Sequence, residues 1–118
     1  LQEVDQWRLS STLALTASWA VISANLERQD NAFSTHIGTG MSQSSGVFTF
    51  PSTGKWLIQA NGYLHSGSGE MHYTQIRTEM SSDSGGSFDG ASSMEEYSSD
   101  PTGYSGSFRY GGLASLYK

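Results

Sequence analysis

The sequence predicts an all-β domain, a sandwich or barrel of short antiparallel strands. Three observations carry that prediction. Residues 55–65, KWLIQANGYLH, alternate: Trp56, Ile58, Ala60, Gly62 and Leu64 fall on one side, and Leu57, Gln59, Asn61, Tyr63 and His65 on the other. That is the period-two pattern of a strand with one dry face. Short runs rich in Val, Ile, Trp and Phe recur between clusters of Ser, Gly, Pro and Asn, the spacing of many strands joined by turns. The 118 residues are 36% hydrophobic and 12% aromatic but only 14% charged, which separates the chain from disordered sequences and allows one domain over residues 1–118.

The elements follow in order. VDQWRLSS (Val4 to Ser11) and SWAVISAN (Ser18 to Asn25) are strand segments by their Val, Ile and Trp content. A helix is the alternative for LTASWAVISANLERQ, because Leu15, Trp19, Ile22 and Leu26 recur at three and four; the strand is preferred. A short strand is expected around Phe33 to Ile37, ahead of a loop punctuated by Gly38 and Gly40. Val47 to Phe50 reads as a strand, and Pro51 to Gly54 as a turn, since proline fixes φ and glycine accepts positive φ. After the long strand comes MHYTQIRTEM (Met71 to Met80), again alternating, and then SSDSGGSFDGASS, a Ser/Gly-rich surface loop. Ser93 to Tyr97 and Tyr104 to Lys118 supply the last strands.

Composition removes several functions. The net charge is −5, and the six cations, Arg8, Arg28, Lys55, Arg77, Arg109 and Lys118, are scattered singly. Nucleic-acid binding draws on clustered cations that displace counterions, so no nucleic-acid partner is expected. The absence of cysteine excludes disulfides, a thiolate zinc site and a cysteine nucleophile together. No apolar run approaches the roughly 20 residues of a membrane helix, and LQEVDQW lacks the basic and apolar regions of a signal peptide.

The stretch GVFTFPSTGKWLIQANGYL resembles the central signature of the C1q/TNF-like jelly rolls, G-x-F-x-x-P-x-x-G-x-Y/W before a long alternating strand. Gly46, Phe48, Pro51, Gly54 and Trp56 fall on that pattern, and Gly111-Gly112-Leu113 with Leu116 resembles the family's late G-G-x-x-x-L strand. The flanks DQWRL and IGTGMSQSSG, with a Ser/Asp-rich tail, are similar to C1q-like modules of marine bacteriophages. The resemblance implies an antiparallel β-sandwich jelly roll that assembles as a homotrimer on a virion surface. Family domains continue past the G-G-x-x-x-L strand with a Gly-Asp turn and two more strands, whereas this sequence stops at Lys118. The expectation is a domain truncated at its C-terminus, lacking its last strands or receiving them from a neighbour. No collagen-like Gly-X-Y stem is present, so trimerisation would rest on the head.

Candidate residues divide into three groups. Phe48, Trp56, Ile58 and Leu64 are expected to fill the core; Leu57, Gln59, Tyr63 and Tyr73 are candidates for the face between subunits; Asp83, Phe88 and Asp89 belong to a candidate recognition loop. Trp7 and Trp19 join the aromatics that either fill the core or stack on sugar rings. Asp83-Ser84-Gly85-Gly86 resembles the DSGG of chymotrypsin-like proteases, but a triad needs a histidine base oriented by a carboxylate. Nothing in the sequence places His36, His65 or His72 in that role. His65 and His72 would face each other across a simple hairpin and invite a metal; a jelly roll would instead put their strands in opposite sheets. Asp83, Asp89, Glu95, Glu96 and Asp100 concentrate acid, and calcium is weighed there against a solvated acidic loop whose spacing fits no calcium signature.

The expected function is therefore structural and non-enzymatic: a trimeric module of a bacteriophage particle, a capsid decoration or fibre component, with the major capsid or fibre proteins as partners. The alternative is a recognition head that binds a host receptor or surface glycan through the loop from Ser81 to Asp100. No cofactor is expected.

Overall fold

The computed structural model describes residues 2–16, 18–29, 31, 36–65, 73–97 and 105–116; for Leu64, His65, Tyr73, Ser92, Met94, Glu96, Tyr97 and 105–116 it describes the backbone alone. Eight strands follow one another: β1 (Trp7–Leu9), β2 (Leu26–Arg28), β3 (Ser42–Ser44), β4 (Val47–Thr49), β5 (Gly54–His65), β6 (Tyr73–Met80), β7 (Asp89–Tyr97) and β8 (Ser105–Leu116). All pair antiparallel, in two-stranded sheets β1-β2, β3-β4, β5-β8 and β6-β7. No helix occurs among the described residues, and the arrangement is compatible with a β-sandwich.

The chain forms two compact units, Leu1–Ser52 and Thr53–Lys118. In the first, β1 lies against β2 with Trp7 opposite Arg28 and Leu9 opposite Leu26. The guanidinium of Arg28 sits 4.9 Å from the Trp7 ring centroid, and the same ring meets Phe48 edge to face at 5.3 Å and 80°. Such an aromatic pair adds about 0.5–1.5 kcal/mol beyond the area it buries. Phe48, assigned to the core, is half-buried. β3 and β4 form a hairpin closed by Ser45 and Gly46, whose φ angles of 50° and 85° make the mirror-image turn that suits the twist of paired strands. Gly46 is also required sterically, because a Cβ there would run into the Ile22 carbonyl oxygen and come within 2.8 Å of Val21 Cγ1.

In the second unit, β5 and β8 pair over twelve residues, from Gly54 opposite Leu116 to His65 opposite Ser105. The register sets large residues against small ones: Trp56 opposite Ala114, Ile58 opposite Gly112, Gly62 opposite Phe108. The hairpin β6-β7 falls, in sequence, inside this pair, and carries a bulge at Thr78/Glu79. Trp56, Ile58 and Ala60 on β5 are half-buried, as are Thr74, Ile76, Thr78 and Met80 on β6. Among the described residues no large side chain is fully buried.

Three expectations need correcting. Ser18 to Asn25 holds no strand among its described residues; the strand that answers β1 is Leu26–Arg28, entered after Asn25 at φ 60°. The Ser/Gly-rich stretch is shorter as a loop than its composition implies, because β7 starts at Asp89. Gly54 needs no positive φ and is already the first residue of β5. Most of Phe33 to Ile37 lies outside the described residues, although Ile37 itself bridges to Val4.

Candidate functional site

The period-two geometry of β5 that half-buries Trp56 and Ile58 turns the intervening residues outward. Leu57 and Tyr63 are each 67% exposed, with Gln59 and Asn61 exposed between them. The result is a partly apolar stripe that continues the face on which Lys55, two residues before Leu57, is also exposed. Three of the four residues assigned to a subunit face thus lie together on one strand face; the side chain of Tyr73 lies outside the described set, as does that of Leu64.

The loop between β6 and β7 is organised by Asp83. Its Oδ1 accepts from the Ser81 hydroxyl at 2.7 Å and from the Ser87 N–H at 2.8 Å, and its Oδ2 accepts from the Ser87 hydroxyl at 2.8 Å. Ser81 Oγ accepts in turn from the Gly85 N–H at 2.7 Å. Ser84 and Gly85, at φ 60° and 90°, form the turn itself, and Gly86 N–H reaches back to the Asp83 carbonyl. The Ser81 hydroxyl first, then the Ser87 N–H and hydroxyl, hold the Asp83 carboxyl down to about 2. The DSGG tetrapeptide is therefore a turn in which the aspartate caps its own loop and the serine supplies an unusual backbone angle. Phe88 stands 42% exposed beside this loop, and Asp89 is exposed at the start of β7.

No group of three or more His, Asp or Glu residues that would hold a metal occurs among the described residues. The strands before and after the 66–72 segment pair with different partners, β5 with β8 and β6 with β7, so His65 is not at the end of a simple β5-β6 hairpin. His72 lies outside the described residues.

One cluster was not anticipated from the sequence. Asp5, its side chain 5% exposed, accepts from Arg28 Nε at 2.9 Å and Nη2 at 3.1 Å, from Trp7 Nε1 at 3.0 Å and from the Met41 N–H at 2.7 Å. Burial raises the carboxyl of Asp5, but the hydrogen bonds from Arg28, Met41 and Trp7 and the charge of Arg28 outweigh it and hold the group below its ordinary value. The same hydrogen bond raises Arg28. Two residues earlier, the Glu3 carboxylate accepts from the N–H groups of Thr39 at 3.2 Å and Gly40 at 3.0 Å. Gly38 and Gly40, at φ 81° and 73°, let the loop bring those N–H groups to the carboxylates; a Cβ on Gly40 would lie 2.9 Å from Arg28 Nη2. The sequence signal was faint: two acidic residues near the start and a G-x-G more than thirty positions later.

No family model matches the chain. Nor does the chain match any curated protein or solved structure. The geometry and the residues themselves therefore carry the functional reading.

Proposed function

We propose that this chain is a non-enzymatic, self-associating structural module of the C1q/TNF-like jelly-roll type, built into the surface of a bacteriophage particle as a homotrimer. The observation that carries the reading is the outward stripe of Leu57, Gln59, Asn61 and Tyr63 on β5, one of two twelve-residue strands. Exposed apolar residues that share one sheet face are more informative than scattered ones, because burying them between copies removes them from water. The nesting of β6-β7 inside β5-β8 supports the jelly-roll part, since that fold wraps one antiparallel pair around another.

In this reading the chain works by shape and buried area, with the particle's capsid or fibre proteins as neighbours. Native mass spectrometry of the isolated chain tests the first part: a trimer is expected, and a strict monomer at micromolar concentration refutes it. Imaging of labelled particles tests the second. Regular copies on the capsid identify a decoration protein, copies at fibre tips a fibre component, and absence from the particle removes the virion assignment.

A recognition head is the second reading, favoured by the self-bonded loop around Asp83 that presents the exposed Phe88. A rigid loop with an outward aromatic suits a host receptor or glycan. Deleting residues 83–90 then abolishes adsorption to cells while leaving the oligomer intact; unchanged adsorption rejects this reading.

A further inference from the structure

We propose that Glu3 and Asp5 form a carboxylate buckle that fastens residues 2–5 onto the 37–41 loop and opens in acid while the β1-β2 hairpin stays closed. Five hydrogen bonds join the two segments. Val4 and Ile37 exchange backbone bonds at 3.0 and 2.8 Å, Glu3 accepts from Thr39 and Gly40, and Asp5 accepts from Met41. Three of the five thus end on carboxylate oxygens, and bonds to an ionised acceptor are roughly twice as strong as neutral ones. The backbone supplies an isolated bridge, not a ladder, so the two segments depend on their carboxylates, and protonation of the buried one, Asp5, weakens the hold.

The neighbouring hairpin also touches carboxylates, Asp5 through Arg28 and Trp7 and Glu27 through Arg8, but its backbone ladder ends on none. β1 and β2 are held by backbone pairing and by flanking bonds from Ser10 N–H to the Asn25 carbonyl and from Gln29 N–H to the Gln6 carbonyl, both 2.8 Å. The groups facing Asp5 are Arg28 from β2, the Trp7 indole from β1 and the Met41 N–H from the loop; Glu3 faces the Thr39 and Gly40 N–H groups. Arg8 and Glu27 are paired with each other at 2.6 Å, and His36 is exposed beside Ile37. Arg28 also donates to the Met41 carbonyl and covers the Trp7 ring, contacts that do not run through Asp5.

The sign follows from the direction of the Asp5 shift. Its folded value lies below the ordinary 3.8, so its contribution is complete above 3.8 and is lost as pH falls through the folded value.

Amide hydrogen exchange of the whole chain, read by NMR as protection factors at about pH 6 and about pH 2.5, tests the buckle. Protection at Val4, Ile37, Thr39, Gly40 and Met41 is expected to fall in acid relative to Ser10 and Gln29. Asp5→Asn should show the acid pattern at neutral pH, and the milder Glu3→Gln should lower Thr39 and Gly40 alone. Two results overturn the proposal: retention of all five protections in acid, or loss at Ser10 and Gln29 in step with Met41, which would mean that the unit unfolds as a whole. If Asp5→Asn does not fold, the acid series and Glu3→Gln decide between the same outcomes.

Discussion

Asp5 and Arg28, 23 positions apart, meet through paired hydrogen bonds, Nε to Oδ1 at 2.9 Å and Nη2 to Oδ2 at 3.1 Å. A planar guanidinium matches the two carboxylate oxygens, and a lysine ammonium does not. Nη2 also donates to the Met41 carbonyl, and the guanidinium covers the Trp7 ring. Arg28→Lys keeps the charge but loses this fork, so its urea midpoint should fall below that of the parent with an unchanged slope. An unaltered midpoint would show that charge alone matters. Asp5→Ala strands the Met41 N–H and the Trp7 indole N–H and should cost about 1–3 kcal/mol in the same measurement.

The glycines of the first unit make a graded prediction. Gly46→Ala adds a Cβ at φ 85° against a backbone carbonyl, that of Ile22, which cannot move aside cheaply. Gly38→Ala, at φ 81°, meets only the end of the Glu3 side chain, which can swing away. Both pay for the left-handed backbone, about 1–3 kcal/mol. Gly46→Ala should therefore have the lower melting temperature of the two, and the reverse order would contradict the packing described at the β3-β4 turn.

The part of the fold legible in the sequence is the part whose signal is local. Lys55 to His65 announced β5 because each residue's neighbours two positions away share its face, and the exposure of Leu57 and Tyr63 follows from the same alternation. Asp83 was readable as part of a loop but not as its organiser, since the bonds to Ser81 and Ser87 depend on side-chain direction. The Asp5 cluster was invisible for a different reason. Its members come from positions 5, 7, 28 and 41, and no periodicity links them. The same gap explains why Ser18 to Asn25 was preferred as a strand: β propensity is high there, but the pairing with β1 is made by Leu26–Arg28, which puts Arg28 opposite Trp7.

Asp83 makes a prediction about acid that differs from that for Asp5. With its carboxyl held to about 2 by Ser81 and Ser87, the group contributes fully above the ordinary 3.8 and loses its contribution only as pH falls through about 2. The side-chain carboxyl chemical shift of Asp83 should titrate with a midpoint near that value, and the Ser87 amide should follow it. In Asp83→Asn the Ser87 amide should show no such step. A midpoint near 4 would mean that the loop does not hold the bonds from Ser81 and Ser87 in solution.

Tyr63 decides the assembly proposal. Its ring is 67% exposed, and it shares a strand face with Leu57 and Gln59, so a contact between copies would take all three out of water. Tyr63→Asp places a carboxylate in that contact, three times over in a trimer, where like charges would be close and poorly solvated. The variant should run as a monomer in sedimentation velocity while its β-sheet circular dichroism is retained. Ser82, exposed in the loop between β6 and β7, supplies the control: Ser82→Asp adds the same single charge outside that strand face and should leave the trimer intact. If Tyr63→Asp remains trimeric, the outward face of β5 is not where the copies meet; if both variants dissociate, net charge rather than local contact governs assembly.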